Sequence, residues 1–173
     1  MALDPAVLEA LRRNSGVHVT RDGVFEFHGR PVDNTRVRAL FHSGLVVRDD
    51  GEVILTVGAM WAYVTCDSAA RFVRALDDRD GVLTSRLLDG TMLTTDAPVV
   101  AYGPDDRFYL WLDATEHPAI ALREAHQFLA SRGQEGGAIK LGGAEWPIHM
   151  LEAVPTPRMS RPGLLDDAVV APG

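Results

Sequence analysis

Five short reversals punctuate the chain: Arg21-Asp22-Gly23, Asp49-Asp50-Gly51, Arg79-Asp80-Gly81, Leu88-Asp89-Gly90 and Gly103-Pro104-Asp105-Asp106. Asp-Gly steps between alternating apolar runs are hairpin signals, because glycine reaches the left-handed backbone such turns need. Reversals this closely spaced call for antiparallel ribbons rather than parallel strand–helix–strand units. The expected fold class is therefore α+β: an antiparallel meander of hairpins with about three helices.

Register follows from side-chain pairing. A three-residue loop at 21–23 sets Val19 against Phe25 and Val17 against Phe27, whereas a two-residue loop would set Thr20 against Phe25. Apolar pairs favour the longer loop. The same choice at 49–51 sets Val47 opposite Val53 and Val46 opposite Ile54.

Three segments repeat as helices. Asp4 caps the first, with Pro5 at its first position and Arg12 and Arg13 near its end; its stripe of Val7, Leu8 and Leu11 must lie on something, because so short a helix is not stable alone. The second starts at Asp33 or Asn34, repeats through Val37, Leu40, Phe41 and Leu45, and ends at Gly44. The third is expected to open near His117 and Pro118, bury Ala121, Leu122, Ala125, Phe128 and Leu129, and close at Gly133. Residues 68–78 fit either period; their place between a strand and an Asp-Gly turn favours strand. The strands-then-helix-then-strands order recurs. This divides the chain into an N-terminal helix (1–16), two similarly organised α+β subdomains (17–78 and 79–154), and a proline-rich mobile tail (155–173).

Residues 22–55, "DGVFEFHGRPVDNTRVRALFHSGLVVRDDGEVIL", resemble the opening of the uncharacterised bacterial family called domain of unknown function 1285. There an Asp-Gly, an aromatic and a Gly-x-Pro strand lead to a helix ending in Leu-Phe, then to a hairpin through Asp-Gly. The resemblance covers residues 20 to 57. It implies an α+β fold of two similar subdomains, a strand over 71–78, and a part in signalling. It implies no catalytic residues.

Composition narrows the function. The formal charge of −7 opposes binding to a phosphate backbone, so nucleic acid is not an expected partner. No apolar run is long enough to cross a bilayer and the N-terminus is not built as a secretory signal, so the expectation is a cytoplasmic protein without a membrane partner. One cysteine, Cys66, allows neither an internal disulfide nor a thiolate zinc site.

Candidate chemistry is sparse. His18 opposite Glu26, with His28 on the same strand face, offers ligand types for a divalent transition metal, although a solvated hairpin face is the simpler reading. Cys66 would gain thiolate character if a helix began at Asp67, and a buried, inert thiol is the alternative. The acidic clusters lack the alternating spacing of a calcium loop, and no glycine-rich phosphate loop is present. Gly29 and Pro31 turn the chain; His28, Arg30 and Asp33 at that corner, with Trp61 and Tyr63, are the expected contacts for a protein or small-molecule ligand. The expected function is a non-enzymatic binding or signalling module without a cofactor. The alternatives are a small cysteine-dependent enzyme using Cys66 and a metal-binding module.

Overall fold

The structure, a computed structural model, describes residues 2–163. Helix α1 (Pro5–Arg13) begins where Asp4 accepts a hydrogen bond from the Ala6 amide at 2.8 Å. Its expected apolar stripe is not buried: Val7 and Leu11 are 48% and 58% exposed, and Leu8 alone of the three is half-buried. The helix docks instead by its basic end. The Arg12 guanidinium lies 4.0 Å from the Trp61 ring centroid and that of Arg13 lies 4.1 Å from the Tyr63 centroid, a cation–π contact that also covers apolar surface.

The first half contains β1 (Val17–Val19), β2 (Phe25–Phe27), β3 (Arg30–Pro31), α2 (Thr35–Gly44), β4 (Leu45–Val47), β5 (Val53–Val57) and β6 (Met60–Cys66). Both hairpin registers are as the apolar pairing requires: Val17 faces Phe27, Val19 faces Phe25 and Val47 faces Val53. Gly23 and Gly51 take left-handed backbone, with φ of 73° and 84°. Asn34, not Asp33, caps α2, accepting from the amides of Arg36 and Val37. Gly44 ends that helix for a reason of space: a side-chain carbon there would run into the carbonyl oxygen of Thr56.

The remainder contains β7 (Arg71–Arg79), β8 (Val82–Leu87), β9 (Met92–Thr95), β10 (Val99–Tyr102), β11 (Phe108–Trp111), β12 (Ala119–Ala121), α3 (Arg123–Ser131), β13 (Gly133–Gln134), β14 (Ala138–Leu141) and β15 (Ala144–Met150). The ambiguous 68–78 segment is strand. The third helix is shorter than expected. Residues 119–121 form β12, fully buried between β11 and β7, because an Ala-Ile-Ala run satisfies either period and here both of its faces meet apolar neighbours.

Six strands form one sheet in the order β3-β2-β1-β6-β5-β4, and nine form another in the order β13-β14-β15-β10-β11-β12-β7-β8-β9. The first six positions of the larger sheet repeat the smaller one. Each half is a three-strand meander, a helix, and a second meander whose last strand returns parallel to the first: β6 beside β1, β15 beside β10. The repeated units are therefore 17–66 and 99–150. The intervening meander β7–β9 joins the larger sheet by pairing β7 parallel to β12, so the strand assigned from sequence to the end of the first subdomain belongs to the second sheet. Hairpins are antiparallel throughout. Parallel pairing arises where segments distant in sequence meet.

Alternation along the shared wall separates two cores. Along β11, Phe108 and Leu110 join the core beneath α3, while Tyr109 and Trp111 join the core against the first sheet. The tips of β1–β2 and β10–β11 meet through crossed ion pairs, Asp22 with Arg107 at 2.7 Å and Arg21 with Asp105 at 3.6 Å. The Tyr109 hydroxyl donates to Asp105 at 2.6 Å; burial first, and that bond second, push its pKa up.

Residues 155–163 do not form the expected mobile tail. Pro155 is buried, the Met159 amide donates to the Glu116 carbonyl at 2.8 Å, and the Trp111 indole donates to the Met159 carbonyl at 2.9 Å. Ser160 and Arg158 each hold the Glu116 carboxylate at 2.9 Å and draw its pKa down. The rest of that expected tail, 164–173, lies outside the described residues. Among the described residues no helix is long and apolar enough to cross a membrane.

Candidate functional site

A cleft of about 520 Å³ opens on the outer side of the first half, where the chain leaves α1, enters β1 and passes the end of β2. His28 stands at its edge. With Gly29 it forms the two-residue loop between β2 and β3, and its left-handed backbone, φ 48°, is the one such a loop requires. Its amide donates to the Gly16 carbonyl at 2.9 Å, extending the hairpin by one rung. Gly16 takes the left-handed backbone that favours glycine, φ 75°, and the His28 imidazole lies over it, where a side-chain carbon would push the ring aside.

The opposite wall is polar and well tied. Ser15 Oγ donates to the Tyr63 carbonyl at 2.6 Å and accepts from the Val17 amide at 3.1 Å. Arg13 stacks on Tyr63 and reaches Glu9 at 3.2 Å and Glu52 at 3.6 Å. Arg48 donates to the Tyr63 hydroxyl at 3.2 Å. The cleft thus offers an imidazole, a guanidinium, a carboxylate and backbone groups around an aromatic side. Such a set suits hydrogen bonding to a polar ligand.

Of the binding candidates named from sequence, His28 and Tyr63 line this cleft together. Trp61 lies beside it beneath Arg12, its ring 5.3 Å from Tyr63. Arg30 and Asp33 are exposed and line no part of it. Sequence reasoning missed Arg13, Ser15, Gly16 and Glu52. Gly16, standing just past a helix and just before a strand, was the one visible signal.

The metal reading fails on geometry. His18 Nδ1 is 2.7 Å from Thr65 Oγ1, and Nε2 is 2.9 Å from Asp67 Oδ1, so both ring nitrogens are turned to β6 and the residue after it. His18, Glu26 and His28 do not converge, and no group of three possible ligands gathers among the described residues. The reactive-cysteine reading fails too. Cys66 ends a strand, no helix begins at Asp67, and burial, helped by the Asp67 charge, pushes the thiol up to about 12.

A second cavity, of about 490 Å³, lies in the other half beside Asp96, Ala97, Trp111, Asp113 and Arg161. Asp113 there accepts from the two terminal guanidinium nitrogens of Arg71, each at 3.2 Å. Burial pushes its carboxyl up, but the bonds from Thr115 and Arg71 outweigh that and hold it below its usual range.

No family model matches the chain, and no curated protein matches it. Two solved structures do. A DUF1285 family protein from Silicibacter pomeroyi DSS-3 superposes with a TM-score of 0.60 at 21% identity, over 79% of this chain and 81% of that one. A DUF1285 family protein from Shewanella baltica OS155 gives a TM-score of 0.49 at 17% identity, over 69% of this chain and 94% of that one. The repeated α+β architecture built up above is thus the fold of the Silicibacter pomeroyi protein, and the chain has a DUF1285-like fold.

Proposed function

We propose that this protein is a non-enzymatic binding module of the cytoplasm, serving a signalling pathway, and that the His28 cleft is where it takes its ligand. The observation that carries the reading is His28 itself. The two-residue loop His28-Gly29, between Phe27 and Arg30, presents an exposed imidazole to a polar cleft; binding residues gather on loops that a rigid scaffold positions. The raised Cys66 pKa speaks against thiol catalysis. The charge of −7 speaks against nucleic acid as the ligand.

The test is a titration of the labelled full chain with a panel of small polar fragments, followed by amide NMR. Binding that moves Ser15, Gly16, His28 and Thr65, and that weakens in His28→Ala, is the expected result. Shifts confined to other surfaces, or none across the panel, would overturn the assignment.

A further inference from the structure

We infer that the natural occupant of the His28 cleft is an extended peptide segment of a partner protein, acidic where it passes Arg13. This rests on reading that cleft as the ligand site, and it comes from the internal repeat.

The two halves can be aligned residue by residue on their hydrogen bonds. In the first tip the Thr20 amide donates to the Val24 carbonyl and that of Gly23 to Thr20; in the second, Gly103 donates to Arg107 and Asp106 to Gly103. The parallel joints agree, with His18 beside Thr65 in one and Ala101 beside His149 in the other. Gly16 bonds His28 as Val99 pairs with Trp111. Hence Trp111 is the counterpart of His28 and His149 of Thr65; three residues before these rungs, Asp96 lines one cavity as Arg13 lines the other.

In the second half this place is partly covered, and the cavity of about 490 Å³ is what remains open beside the cover. The chain's own residues 158–163 cross it: the Met159 carbonyl accepts from the Trp111 indole, Arg161 shares a cavity wall with Asp96, and Gly163 lies against the His149 ring. In the first half the matching path, from His28 past Val17 to Thr65, is the open cleft. His28 stands at the same rung as Trp111, but in a turn and exposed, so its ring N–H groups are open to a peptide carbonyl crossing the cleft. Arg13 lines this cleft where Asp96 lines the other; Glu9 and Glu52 engage it at the surface, and an Asp or Glu of the partner, set where the tail carries Arg161, would compete with them for its guanidinium.

The experiment is selection of a random dodecapeptide display library on the full chain. The expected outcome is enrichment of acidic peptides that shift the amides of 13–17, 28 and 63–65, and that lose roughly tenfold in affinity with His28→Ala and again with Arg13→Glu. Peptides indifferent to both substitutions, or no enrichment at all, would overturn the inference. If small polar fragments still moved those amides, the cleft would stand as a ligand site and the peptide alone would fall; if fragments also failed there, both readings would go.

Discussion

Strands β2 and β11 hold the same place in two copies of one topology, yet they read differently. Phe25 and Phe108 are both buried, but Phe27 is 51% exposed where its counterpart Leu110 is 0% exposed, and Glu26 stands where Tyr109 stands. Phe27 and Leu110 lie on the helix face, which is closed over Leu110 and open at Phe27, whereas the contrast of Glu26 with Tyr109 lies in what covers the outer face. The second half is walled by α3 on one side and by the first half on the other, whereas the outer face of the first half meets only α1 and solvent. A sheet buried on both faces reads as a continuous apolar run, and one that is half-wet alternates. The polar cleft at His28 lies on that uncovered face, whereas the cavity of the second half is walled in part by Arg161 of the C-terminal segment.

The sharpest test of that contrast is a pair of truncations. Leu110→Ala should cost about 3 kcal/mol, and Phe27→Ala no more than about 0.5 kcal/mol, both read from urea unfolding. Equal losses would break the comparison. Next, Gly44→Ala should cost about 2 kcal/mol by overpacking against the Thr56 backbone, measured the same way; a neutral result would show that the α2–β5 contact yields.

A third test uses His42, whose place on α2, counted from the cap, is taken in α3 by Ala130. The His42 ring donates to the Gly23 carbonyl at 2.9 Å and lies between Phe25 and Phe72. Burial holds its pKa below 6.5, outweighing the upward pull of Gly23 and Asp89. The unfolded chain then binds this proton more readily, so its contribution is complete above the unfolded value and is lost as pH falls through the folded one. The melting temperature should drop between about pH 7 and about pH 5, and less steeply in His42→Gln. His117, held down by burial and by Arg71, keeps part of the slope in that variant. An unchanged slope would remove His42 from the account. Smallest is the coupling of Asp22 with Arg107 between the tips, about 0.5 kcal/mol by double-mutant cycle and weaker in high salt; a value several times larger would mean the two halves are held together by their charges.

What sequence could show was local. Both hairpin registers were legible because Val19 with Phe25 and Val47 with Val53 leave only one loop length that pairs apolar with apolar. Gly44 was legible as a helix end, though not the Thr56 carbonyl that demands it. The rest depended on distant neighbours. Nothing near Val7 says that α1 docks through Arg12 and Arg13 on aromatics some fifty residues away. Ala119–Ala121 looks helical until both its faces are covered. Proline-rich residues 155–163 look unstructured until Glu116 and Trp111 are seen to hold them. The site was half legible: His28 and Tyr63 were named, but their meeting with Ser15 and Arg13 is made by the parallel joint of β1 and β6, which leaves no mark in sequence.

That joint has a consequence for how the protein is made. Each unit closes only when its final strand reaches its opening one, so the first must await Cys66 and the second Met150. Translation adds about 5–20 residues per second. For several seconds a nascent first unit stands finished on the ribosome with the apolar side meant for the second still bare, and during that interval a chaperone would find something to hold.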